Sequence, residues 1–397
     1  MNRIYIILLI IASIIGVLPI NAQLQLTSHM QSVDVSTSDS IDRTAEDFVI
    51  ASLLIADPGT FMYSVLGHSA VRLQCPTFDL DYCYTYEAED APNKIWAFLS
   101  GRLMMGLYAI PTEYYCTPYR EEGRGVYEYV INLPIDIKRE LWKVLDVSLQ
   151  EDKRVLYDYY HRGCAITIVD FVKVALGEVT IEYDRSLFEN SRSVKEIWNQ
   201  YTENALWIRF ICYFIGAGKE LECPIVGDKQ LIIPTDLVNA WQKATVNGEP
   251  LLASEPIVLV EGKPQVNDGW FTPMVLAIIL FVLSIVNLWV KYPYFDWLIL
   301  GVQTLAGCCM TYLIFFSDLC CTSWNWLIIP FNPLPIICWK WRKYWALPYA
   351  GILVVWCVTM TAVTIFGHVL VDWSHIVMVI AWAMIVLKQS KLFVYKD

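Results

Sequence analysis

Charge is scarce in this chain. Only 17% of its 397 residues are Asp, Glu, Lys or Arg, while 56% are hydrophobic; soluble domains average about 45–50% apolar. Histidine is scarcer still, with His29, His68, His161, His368 and His375 the full set. There is no G-x-S-x-G elbow, no phosphate-binding glycine loop and no internal repeat. Those gaps remove the serine-hydrolase elbow and the nucleotide cradles, and no carboxylate pair is specific enough for glycosidase chemistry. His161 and Cys164 have the spacing of a ligand pair, but no second C-x-x-C or H-x-x-x-H follows to complete a tetrahedral zinc site.

The charge that exists is unevenly placed. Residues 23–268 carry 21 Lys/Arg and 36 Asp/Glu, a net of −15, and residues 269–397 carry 7 and 4, a net of +3; Arg3 completes the total of −11. An acidic domain lacks the basic footprint that nucleic acid requires. The apolar tail excludes a cytosolic enzyme.

Residues 1–22 have the form of a secretory signal, with Arg3, an apolar core and Ile20-Asn21-Ala22 before a cleavage point at Gln23. Residues 23–44, rich in Ser, Thr and Asp, form a flexible lead-in. The exported domain is expected over 45–268, a transmembrane domain over 269–391 and a short cytoplasmic tail over 392–397. Five apolar runs serve as spans: 271–290, 294–316, 319–339, 345–366 and 373–387. The third contains Pro330, Pro333 and Pro335, so it either spans or re-enters, and it must pack inside a bundle. Lys291, Lys340, Arg342, Lys343, Lys388 and Lys391 mark the inner face, and Asp318 and Asp372 the outer. An even six cysteines in the exported domain permit disulfides such as Cys75–Cys83 or Cys212–Cys223.

Within that domain, residues 68–74 alternate, with His68, Ala70 and Arg72 on one face and Ser69, Val71 and Leu73 on the other. Residues 81–86 and 125–133 read as strands, the first half of 95–108 and all of 136–149 as helices. After Cys164 the apolar spacing predicts a buried helix ending at Gly177. The whole is an α+β domain; residues 178–268 show no clear period. Cys164 would sit where helix N–H groups lower a thiol pKa and can hold an oxyanion. His68 is the candidate base. A core cysteine and a structural histidine are the competing readings. Arg72, Arg102 and Arg124 suit either an anionic lipid headgroup or salt bridges within the acidic domain.

Several ordered blocks then resemble one family. Tyr63-Ser64, Gly67-His68-Ser69-Ala70 and Arg72 are similar to the "YS.FGH.A.R" signature of the lipoprotein N-acyltransferases of Bacteroidetes, the Lnb family. Phe98, Gly101 and Leu103 match a second block, and Glu122, Arg124, Val126, Glu128 and Leu133 a third. Tyr157 to Tyr160 before Cys164, and Ser317-Asp318, Trp324-Asn325 and Asn332-Pro333-Leu334 in the tail, extend the likeness. The resemblance implies a permuted papain-like domain followed by an all-α five-helix transmembrane bundle. It carries over His68 and Cys164 as catalytic residues, with Tyr63, Ser64, Arg72, Arg124 and Tyr160 binding substrate or supporting the site. It also implies a phospholipid acyl donor, a diacylated lipoprotein acceptor, no cofactor, and an inner-membrane location with the catalytic domain in the periplasm. The chain departs from the pattern at Gly163 and Ala165, where the family has Asn and often Ser or Thr. Thr85-Tyr86-Glu87 stands in place of Asn-Tyr-Gly. If that Asn orients the base or binds the oxyanion, either another group substitutes for it or this member is slow or altered in substrate. A hydrolase of the same fold and a catalytically inactive membrane-binding protein are the alternatives.

Overall fold

The computed structural model describes residues 42–88, 94–158, 163–216, 218–253, 255–263, 269–290, 292–366 and 371–390. The expected signal peptide and nearly all of the lead-in lie outside these residues, as do Tyr160, His161 and His368.

The chain opens with β1 (Ile50–Ala56), β2 (His68–Cys75) and β3 (Leu80–Ala88). Then come α1 (Ile95–Leu99), β4 (Met104–Pro111), α2 (Thr112–Glu122), β5 (Val126–Val130), α3 (Ile135–Gln150), β6 (Val155–Leu156) and α4 (Cys164–Leu176). After these lie α5 (Val194–Tyr201), α6 (Leu206–Gly216), α7 (Pro234–Trp241) and β7 (Ile257–Val260). The seven strands form one antiparallel sheet in the order β7-β5-β1-β2-β3-β4-β6.

Side-chain alternation gives the sheet two different faces. Leu53, Ile55, Val71, Leu73 and Tyr84 pack beneath α3, α4 and α7 in the main core, where Trp241 is fully buried. Leu54, Ala56, Ala70, Cys83 and Val126 pack against Tyr115, Cys116 and Tyr119 of α2 on the opposite face. Leu141 and Leu145, one turn apart, anchor α3 to the first face. Helix α4 buries Ala165, Ile168, Val169, Val172, Ala175 and Leu176, the spacing of a single apolar stripe, and stops at Gly177, whose φ of +64° suits glycine. Cys75 faces Leu80 and Cys83 faces Arg72 across the β2–β3 ladder, and neither forms a disulfide. The register thus separates the suggested Cys75–Cys83 partners, and Cys212 forms no disulfide to Cys223.

The tail contains α8 (Pro273–Val290), α9 (Pro293–Phe316), α10 (Leu334–Ile337), α11 (Arg342–Ile365) and α12 (Trp373–Lys388). Among the described residues three helices are long and apolar enough to cross a membrane: α8, α9, and α11 with the turn before it; α12 is shorter and apolar. The expectation of five spanning helices therefore needs correction at the third run. Residues 317–341 form short 3-10 turns around the single-turn α10. They traverse the bundle beside α9, from Thr322, which donates to Leu313 O at 2.9 Å, to Trp339, whose ring lies 5.2 Å from that of Trp297. Proline denies this run its own ladder. Neighbouring helices supply the missing partners: Gln303 Nε2 donates to Pro330 O (3.0 Å) and Asn332 O (2.8 Å), Trp345 Nε1 to Cys338 O (2.8 Å), and Trp356 Nε1 to Trp326 O (3.0 Å). Irregular backbone at membrane depth is tolerated only under such cover. At the far end of the bundle, buried Asp296 takes Lys388 at 2.9 Å and Asn287 at 2.6 Å.

The domain docks on the near end. Ser317 Oγ donates to Leu99 O (2.6 Å), and Asp318 N to Ser100 O (3.0 Å). Helix α6 is held there by Trp207 Nε1 to Phe271 O, Asn325 Nδ2 to Phe214 O, and an Arg209–Asp372 pair at 3.3 Å. Gly101 closes the junction with φ +71°; a Cβ there would lie 2.5 Å from the backbone of Asp318 and Leu319. Gly101→Ala is expected to cost about 1–2 kcal/mol from the left-handed backbone alone and more from the clash. Faster proteolysis of the full-length protein between domain and bundle would register it, and unchanged protection would refute the close approach.

Candidate active site

The end of the sheet beside α4 gathers the ionisable groups. Ladder pairing sets His68 beside Ala56, and Ala56 beside Val126. The β2–β3 register, with Ala70 opposite Thr85, continues to place Glu87 across from His68. His68 Nε2 lies 2.7 Å from Thr85 Oγ1, and Thr85 Oγ1 donates to Glu87 Oε1 at 2.9 Å. The direct His68–Glu87 separation is 3.6 Å. Thr85 is completely buried.

Gly163, extended at the N-cap of α4, leads into Cys164 as the first residue of the helix. The thiol stands close enough to His68, 96 positions earlier in the chain, and to Ser69 for both to act on its pKa. Burial pushes the thiol pKa up. The His68 charge and hydrogen bond, with Ser69, overcome it and leave Cys164 at about 7. Burial likewise depresses His68, but Cys164 and Glu87 outweigh it and Arg124, so its pKa is raised. Thiol and imidazole thus favour each other's charged forms.

The remaining expected site residues divide. Arg124 reaches this end of the sheet: Nε donates to Asp57 O (2.7 Å), Nη1 to Glu122 (3.0 Å), and the guanidinium lies 4.8 Å from the Tyr119 ring centre. Ser64 is buried and braces the adjoining loop through Phe61 N and O. Tyr63 is exposed, stacked on Phe61 and bonded to Glu122. Arg72 is committed elsewhere, to Asp81 through two bonds (2.8 and 2.7 Å) and to Glu128 (2.6 Å), so its place is in a core ion cluster. Arg102 pairs with Asp318, and His375 is buried with its ring stacked on Phe210 at 4.1 Å. Thr85 and Glu87 were not among the expected site residues; the expected strand over 81–86 stops short of Glu87, whereas the observed one runs to Ala88 and puts both on the face of Cys83.

Burial pushes the pKa of Tyr157 up, and neighbouring Cys164 adds to the rise. Residues 41–196 match the Lnb N-terminal periplasmic domain, and residues 265–396 match the Lnb transmembrane domain. The chain belongs to the Lnb family. No curated protein and no solved structure matches it. This Lnb chain is accordingly a multi-pass membrane protein with a periplasmic α+β domain. His68, Thr85, Glu87 and Cys164 all fall in the first matched segment. Helix α6, which docks that domain on the bundle, falls between the two.

Proposed function

We propose that this Lnb protein moves a fatty acyl chain from a glycerophospholipid to the α-amine of a diacylglyceryl-cysteine lipoprotein, by way of a thioester on Cys164. The observation that carries the reading is the pairing of Cys164 with His68 at a helix N-terminus, each favouring the other's charged form, in a domain docked on a membrane bundle. Cys164 thiolate attacks the ester carbonyl, the oxyanion is held by N–H groups at the start of α4, and His68 returns its proton to the departing glycerol oxygen. The lipoprotein amine then attacks the thioester. His68 takes the amine proton and Cys164 leaves as thiolate, so an amide replaces the ester and no cofactor is consumed. Holding both lipids against one outer membrane surface converts two encounters into a local one.

Histidine before cysteine on an antiparallel sheet fits a permuted papain-like domain. The cation distribution, with residues 317–341 as an irregular fifth crossing, fits five passes of the inner membrane and a periplasmic active site. The test is the N-terminal lipid mass of a reporter lipoprotein in cells lacking other N-acyltransferases. Expressing this protein should add one acyl chain to the cysteine amine. Release of free fatty acid or cleaved peptide with no N-acyl product would make it a hydrolase, and no change in lipid or reporter would support an inactive binding protein.

A further inference from the structure

Gly163 precedes Cys164 and offers no side chain to orient the base. We propose that Glu87, acting through the Thr85 hydroxyl, is the positioning carboxylate of His68, an assignment that rests on the acyl-transfer reading above only for its use in catalysis. Proton counting carries the argument. A carboxylate has only acceptors, and Thr85 has one hydroxyl proton, which it gives to Glu87. The Thr85 oxygen must then accept, so the proton on the shared side of the ring belongs to His68 Nε2. Nδ1 is left to receive the Cys164 proton. The chain of two bonds thereby selects the tautomer that a thiol base needs.

Two further features favour a positioning role over simple strand packing. Thr85 is fully buried, so water does not compete for its oxygen, and both its hydroxyl contacts are side chains of the site. Glu87 is also close enough to His68 to favour the imidazolium by charge. Among the described residues the other charged groups acting on the ring are Cys164 of α4 and Arg124 ahead of β5, while Tyr115 and Tyr119 of α2 stand within reach of Glu87. Burial keeps both tyrosines protonated. Arg124 opposes the imidazolium, and Glu87 offsets it.

The experiment uses full-length protein in detergent micelles, labelled with ¹⁵N-histidine; five histidines give few signals, and His68→Gln assigns the one required. Wild-type His68 should show the Nε2–H tautomer at high pH. Glu87→Gln should lower its titration midpoint by about one pH unit. Thr85→Val should lower it as well and lose the single tautomer, and Thr85→Ser should restore both. An Nδ1–H tautomer in the wild type, or an unmoved midpoint in Glu87→Gln, would overturn the assignment. If Thr85→Val does not fold, Glu87→Gln, at a partly exposed side chain, decides alone. No lipid is present, so a failed acyl-transfer assay with the expected titration would discard the function and leave the positioning intact.

Discussion

Cys164→Ala is expected to abolish N-acylation of a reporter lipoprotein, a fall of roughly 10⁴-fold or more at unchanged protein level. Alanine removes the atom that must carry the acyl chain, and the N–H groups of α4 then have no tetrahedral oxyanion to stabilise. Cys164→Ser should do no better, because the same surroundings that bring a thiol to about 7 do not bring a hydroxyl within reach of neutral pH. His68→Ala should cost nearly as much, and the double variant should be no slower than either single one. Groups that act as one unit fail together. The pH profile carries the same signature. Activity should fall about tenfold per unit below pH 7, as the Cys164 thiolate is protonated. It should fall again on the alkaline side only above the ordinary histidine range, because the pKa of His68 is raised. Persistence of N-acylation in Cys164→Ala would place the nucleophile elsewhere.

Arg72→Ala is expected to be the most destabilising single change in the domain, at about 3–5 kcal/mol. Its guanidinium uses every donor that faces a carboxylate: two on Asp81, one on Glu128. Glu128 is nearly inaccessible to solvent and sits in the central ladder, so removing Arg72 strands a charge with nowhere to turn. Asp81 also accepts from Thr112 Oγ1 at 2.5 Å, which links the cluster to the start of α2. Burial raises the Asp81 pKa, but the Arg72 and Thr112 bonds prevail and hold it below the usual carboxylate range. A depressed folded-state pKa contributes stability above the unfolded value and loses it as pH falls through the folded one. The cluster should therefore weaken in acid. Thermal unfolding of the full-length protein would measure both effects. A raised KM for lipid in an Arg72→Lys variant of unchanged stability would instead return Arg72 to the substrate.

Much of this was legible from spacing alone. Period-two alternation placed His68, Ala70 and Arg72 on one face of β2, and an apolar stripe bounded by two glycines placed Cys164 at the start of α4. Those patterns are local, and local geometry enforces them. The Thr85–Glu87 chain was not legible, because it depends on the register between β2 and β3, which no single strand encodes. Arg72 appeared beside His68 in a motif, yet the choice between substrate and ion cluster is made by Asp81 and Glu128 on two other strands. Helix α6 lies within residues 178–268, where Pro, Gly and charge interrupt any clear period, and residues 317–341 have hydropathy enough for a helix but prolines that forbid one.

That last run has a consequence for how the protein is made. A helical span carries its own hydrogen bonds into the bilayer and can leave the translocon alone. Residues 317–341 borrow theirs from Gln303 on α9 and from Trp345 and Trp356 on α11. They can settle in lipid only once α11, which is synthesised after them, has arrived. Biogenesis of this bundle is therefore not strictly sequential along the chain, since a middle piece waits for a helix made after it.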